Sequence, residues 1–242
     1  MRPAAAMQAS EKLRFELERY HALRQHRDEA FRARLHALQA FQVRRLQHTH
    51  AALVADPVFH DATELFLNDI YGGIDLMPMA REIERALPLA LRLLPESVLR
   101  TSAVATEVMV LTQELDERLA ELLFEQRGVT RLNVADYTAA FRDLGRMDDR
   151  LRQMNLVREL GHGLDKYVRS RVIFMTFRMA SGPAHKYGLG ILYDFLDRGF
   201  RVMRPMGSAH DMFDRMAQEE SAIIARIQAG DADPFRLEGK TL

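Results

Sequence analysis

Two Glu-x-x-His motifs, Glu18 with His21 and Glu159 with His162, are the sharpest chemical signal in the chain. A spacing of three on a helix sets a carboxylate and an imidazole on one face. Two such motifs supply four of the six ligating residues of a di-metal site in a helical bundle. The two further carboxylates would come from Glu64, Glu107 or Glu114. Chance weakens the signal, because 17 Glu and 9 His in 242 residues give about 0.6 such pairs at random. His21 also adjoins a polar turn with Arg24, Arg27 and Glu29, which directs it to solvent. A di-metal, oxidase-like site is therefore the alternative reading. His60 and Glu64, four apart, could share one metal, but a surface pair near a helix terminus explains them better.

Gly161-His162-Gly163 raises a different question. Each glycine inside a helix costs about 1 kcal/mol relative to alanine, so two flanking one histidine need a compensating cause. Close passage of another helix is the commonest cause. A ligand pocket at His162, completed by His185 or Tyr187, is the functional one. Arg198, Arg201 and Arg204 recur every three residues near a helix C-terminus, where cations complement the macrodipole; a bound anion is the functional alternative. No nucleophile elbow, phosphate loop or dinucleotide fingerprint is present. Without cysteine there is no disulfide, thiolate metal site or cysteine nucleophile. No cofactor is expected, and the balance leans away from an enzyme.

With 34 basic and 34 acidic residues the net charge is zero, which argues against a dedicated nucleic-acid-binding role. Charge is uneven locally. Ser10 to His50 carries nine Lys/Arg against five acids, and Glu96 to Arg127 seven acids against three bases. Such faces suit either a dimer or plain solvation. No apolar run approaches the ~18 residues of a membrane span, and the N-terminus lacks a secretory pattern, so a cytoplasmic protein is expected. The preferred function is non-enzymatic binding of a protein partner or of a second copy. A small-ligand- or metal-binding bundle is the alternative.

The elements that must position these residues are helical. Leu, Ala, Arg, Glu and Met dominate, and apolar residues recur at three and four, as in Leu13, Leu17 and Tyr20. The pattern predicts an all-α, single-domain bundle of about seven to eight helices over residues 8–230, with long first, fourth and sixth helices, and a polar tail over 231–242. The first helix runs from Ser10 toward Ala55, with room for a break on the way. Asp56-Pro57 opens the second, and Asp75 and Pro78 the third, which Pro88 should kink. Pro95 opens the fourth, which stops at Gly128. Asn133 caps a short fifth, and a long sixth spans Asp148 to Ala180. Ser181-Gly182-Pro183 precedes the seventh, and Ser208 with Asp211 caps the eighth.

At Leu65-Phe66-Leu67-Asn68-Asp69-Ile70-Tyr71-Gly72 the chain resembles an uncharacterised bacterial family named for its Phe-Phe-Leu-Glu-Glu-Leu-Tyr (FFLEELY) motif. Glu82 to Pro88 and Phe195 to Phe200 are similar to later segments of that family. Leu65 stands for the first Phe, Asn68 and Asp69 for the two Glu, and Ile70 for Leu. The resemblance implies a helical fold and no established activity. Physically, the motif reads as the end of an amphipathic helix, with Phe66, Ile70 and Tyr71 inward and Asn68 and Asp69 turned elsewhere.

Overall fold

A computed structural model describes residues 8–70, 76–239 and 242, the side chains of residues 69 and 70 excepted. The described residues form twelve α-helices and no strand. The first six are α1 (Ala9–Ala22), α2 (Glu29–Thr49), α3 (Ala51–Ala55), α4 (His60–Leu65), α5 (Met77–Leu93) and α6 (Glu96–Ala120). The others are α7 (Val134–Asp143), α8 (Met147–Val168), α9 (Arg171–Met179), α10 (Ser181–Lys186), α11 (Gly190–Met203) and α12 (Ala209–Gln228). The class is all-α as the periodicity predicts. The count exceeds the expected seven or eight because the longest expected helices break, the first of them at contacts from distant parts of the chain.

The expected first helix shows how. After α1 the backbone turns through a short 3-10 segment, Arg24–His26. The Glu117 carboxylate on α6 accepts from the backbone N–H of Arg24 (3.1 Å) and of Gln25 (2.7 Å), taking donors that a continuous helix would have paired internally. Asp28 then caps α2 by accepting from the Phe31 N–H at 2.9 Å. A second break falls at His50, whose ring meets Glu220 of α12 at 3.0 Å. The expected sixth helix also stops early, at Val168, and Ser170 restarts the chain as α9 by accepting from the Ile173 N–H (3.2 Å).

The core lies where α8 and α12 pack together, with α2 and α6 against them. Leu35 and Leu38 of α2, Leu115 and Leu119 of α6, Val157 of α8, and Met212 and Phe213 of α12 are all buried there. Each such side chain contributes about 1.5–3 kcal/mol by leaving water. From the motif, Phe66 and Leu67 are buried within a π-helical turn, Phe66–Ile70, and Phe66 meets Phe213 edge-on at 5.4 Å. Asn68 is exposed and donates to Glu64 (2.6 Å). Tyr71 and the Asp69 and Ile70 side chains lie outside the described residues.

Two contacts bear on the expected charge faces and on the segment after Gly230. The basic first segment and the acidic α6 meet inside one chain, leaving little of that complementarity for a dimer. Arg19 pairs with Glu114, Lys12 with Glu107, and both Arg24 and Arg34 with Glu125. The segment after Gly230 is no free polar tail, since Phe235 and Leu237 are buried in the core. Asp233 folds the segment by accepting from the N–H groups of Leu237 (2.8 Å) and Glu238 (3.1 Å).

Candidate functional site

The residues singled out by spacing do not converge on one point. Glu18 and Glu159 are exposed, and His21 pairs with Glu84 of α5 at 2.7 Å. Among the described residues no group of three or more His, Asp or Glu is placed to hold a metal ion. His60 bonds the Val54 carbonyl (2.6 Å). His162 is exposed and stacks on His210 of α12, with ring centroids 4.9 Å apart and planes 15° apart, near Asp214 at 3.7 Å. The flanking glycines mark close passage. A Cβ on Gly161 would lie 2.7 Å from the Phe213 Cβ on α12, and one on Gly163 would lie 2.8 Å from the Thr101 hydroxyl on α6. His185 donates to the Ser181 carbonyl (2.9 Å) and pairs with Asp194, contacts that raise its imidazole pKa, while Tyr187 is exposed. Arg201 pairs with Asp197 (2.8 Å), and Arg204 lies over the Phe174 ring at 4.1 Å. Arg198 is exposed on the same helix.

A different arrangement stands out: α9 lies on α11 at the edge of the molecule. Phe177 stacks on Tyr193 at 4.5 Å and packs on Phe200 at 4.9 Å, and Phe174 also meets Phe200. From α5, the Glu82 carboxylate accepts from the Leu192 N–H (2.7 Å) in the first turn of α11, and Arg85 donates to the Gly188 carbonyl (2.6 Å). These contacts fix the inner face of α9. Its outer face carries Val172, Met175 and Met179, spaced as one helical stripe and 75%, 57% and 81% exposed. No residue of α9 is buried. Around it, residues 166–204 hold eight Lys/Arg against two Asp, a net charge of +6 in a chain whose total is zero. Sequence reading missed this face by merging α9 into the preceding helix. The run Val172-Ile173-Phe174-Met175 and the local charge count were the available signals.

Polar residues also gather inside the core, between α2, α6, α8 and α12. Arg45 and His50 both bond Glu220. Burial pushes the Glu220 carboxyl up, but the Arg45 guanidinium and the His50 ring outweigh it and hold the carboxyl at about 2. Asp116 accepts from Gln42 at 3.0 Å and lies 3.8 Å from Arg150, and burial raises its pKa despite both arginines. Each of these residues reads as surface in the sequence. Only the tertiary contacts, between residues 74 to 175 apart for Gln42–Asp116 and Arg45–Glu220, reveal them.

A family model described as a domain of unknown function (DUF8198) matches residues 22–234, so the chain belongs to that family. No curated protein and no solved structure matches it.

Proposed function

For a chain of this family, which carries no activity with its description, we propose a non-enzymatic role: a helical interaction protein that docks an acidic, amphipathic helix of a partner protein on α9. The observation that carries the reading is the exposed Val172, Met175 and Met179 stripe. A helix that is apolar on two opposite sides normally has cover on both. Covering the three side chains returns on the order of 5 kcal/mol before the costs of association. Methionines suit a surface that must fit a partner helix at i, i+3 and i+7 positions. The surrounding net charge of +6 selects acidic flanks on that partner. No described helix is long and apolar enough to cross a membrane. A bacterial, cytoplasmic setting and kinship with the FFLEELY-motif proteins belong to the same reading, supported by the cysteine-free sequence and by Phe66 and Leu67.

A photo-crosslinking residue placed at Met175 in cells tests this. The expected result is one discrete adduct with an acidic protein, absent when the probe sits at exposed Glu18 on α1 and lost with Arg171→Glu and Arg178→Glu. An adduct between two copies, matched by a dimeric mass in solution, would assign the stripe to self-association and overturn the acidic-partner reading. Adducts with lipid alone, or none above the control, would overturn it as well.

A further inference from the structure

The polar core encloses a cavity of about 30 Å³, walled by Gln42, Arg45, Asp116, Tyr137, Arg150 and Glu220 among others. That space holds about two water molecules. Its two guanidinium groups differ in how they are engaged. Arg45 is committed to Glu220. Arg150, equally buried, reaches the Leu115 carbonyl at only 3.5 Å and Asp116 at 3.8 Å, and lies 4.8 Å from the centre of the Phe141 ring. A guanidinium offers five donors in a rigid plane, and these long contacts engage it weakly. Gln42 Oε1 in the same wall is buried without a hydrogen-bond partner.

The C-terminal strap, residues 231–239, lies on this wall. Phe235 packs on the Arg45 guanidinium at 5.6 Å and on the Tyr137 ring at 6.0 Å. The Arg226 guanidinium holds the strap by donating to the Pro234 carbonyl (2.7 Å). Arg236 and Glu238 adopt φ of 56° and 53°, left-handed conformations that cost a non-glycine residue free energy and recur in clamps and switches.

We propose that the cavity is a binding site for a small, planar, monovalent oxyanion of the carboxylate, bicarbonate or nitrate class, held on Arg150 and admitted when the strap lifts. The size follows from the space of about two waters, and the planar shape from the guanidinium fork. Charge decides how the anion enters. Arg45 faces the site from α2, Glu220 from α12, Arg150 from α8, Asp116 from α6 and Tyr137 from α7, with His50 behind Glu220. Arg45 and Glu220 cancel, so an anion on Arg150 requires Asp116 to be neutral. Burial already favours its protonated form. Once protonated, Asp116 can donate to Gln42 Oε1 after a turn of that amide, supplying the missing partner. The oxyanion therefore arrives with one proton, and binding weakens as pH rises.

The test compares sodium formate and sodium nitrate with sodium chloride at equal ionic strength. Thermal unfolding and titration calorimetry of the full chain are run at mildly acidic and mildly alkaline pH. Formate or nitrate should raise the unfolding midpoint beyond chloride, with affinity falling by up to about tenfold per pH unit. Arg150→Lys, which keeps the charge but loses the fork, should abolish binding. Asp116→Asn should bind at least as well as wild type at both pH values. Phe235→Ala should speed association, followed by stopped-flow tyrosine fluorescence, Tyr137 being part of the wall. Equal binding by Arg150→Lys would place the anion elsewhere, and an unchanged association rate would remove the strap from the route. If neither anion acts beyond chloride on wild type or Asp116→Asn, the cavity holds water only and the proposal fails.

Discussion

Replacing Gly161 with alanine sets two effects of opposite sign against each other at one atom. In an open helix the change stabilises by about 1 kcal/mol, since alanine has less backbone entropy to lose. Here the added Cβ would lie 2.7 Å from the Phe213 Cβ and 3.0 Å from its Cγ. Those atoms sit at the root of a buried side chain in the middle of the α8–α12 contact, where rotation brings no relief. Either α8 and α12 move apart or Phe213 leaves its rotamer, and overpacking of that kind costs about 1–3 kcal/mol. The net expectation is a loss of about 1 kcal/mol, or somewhat more, lowering the thermal midpoint by roughly 2–4 °C in a chain of this size. Gly163 is the internal control. Its Cβ would meet the Thr101 side chain at 2.8–2.9 Å, and Thr101 is only half-buried and can turn. Gly163→Ala should therefore come out near neutral. Urea unfolding followed by circular dichroism reads both, with the slope unchanged if only the folded state is affected. A Gly161→Ala midpoint above wild type, or a larger loss at Gly163, would refute the close-approach account.

Glu220→Gln should flatten one limb of the acid stability profile. The folded carboxyl sits at about 2 against an ordinary 4.5, so its contribution is present above the unfolded value and lost as pH falls from there toward 2. That difference is worth on the order of 3 kcal/mol, read as the pH-dependent gap between variant and wild type in urea titrations; a constant gap would discount the Arg45 pairing. Phe235→Ala should destabilise by about 3 kcal/mol, the low end for a buried phenylalanine because the strap can detach, and should expose residues 231–239 to protease. A loss under about 1 kcal/mol would restore a free tail.

What the sequence discloses about this fold is local, and what it hides is long-range. Asn133 and Ser208 cap α7 and α12 where their side chains predict, accepting from the N–H groups of Asp136 (2.9 Å) and Asp211 (3.3 Å). Gly128 and Gly230 take the left-handed turns expected after helices. Each of these signals needs only neighbouring residues. The break at Arg24 needs Glu117, and the break at His50 needs Glu220, partners that no window along the chain contains. The candidate sites divide in the same way. The Gly161 and Gly163 contacts were legible because glycine is costly in a helix and so demands a cause. Arg45, Asp116, Arg150 and Glu220 were not, because a charged residue in a helix reads as solvated until another helix covers it.

Electrical neutrality in this chain is a sum over separated parts. Residues 166–204 carry a net +6, so the remaining residues carry a net −6, and the isoelectric point of about 7.2 records only their cancellation. Near that pH nothing in the net charge keeps copies apart, while the basic edge of one molecule attracts the acidic remainder of another. Head-to-tail contacts of this kind, where they form, build rings or open chains in place of two-fold dimers. Salt relieves the attraction, because at 0.1 M the screening length is only about 10 Å. The expected consequence is a solubility that rises with ionic strength, read as the protein left in solution across a salt series.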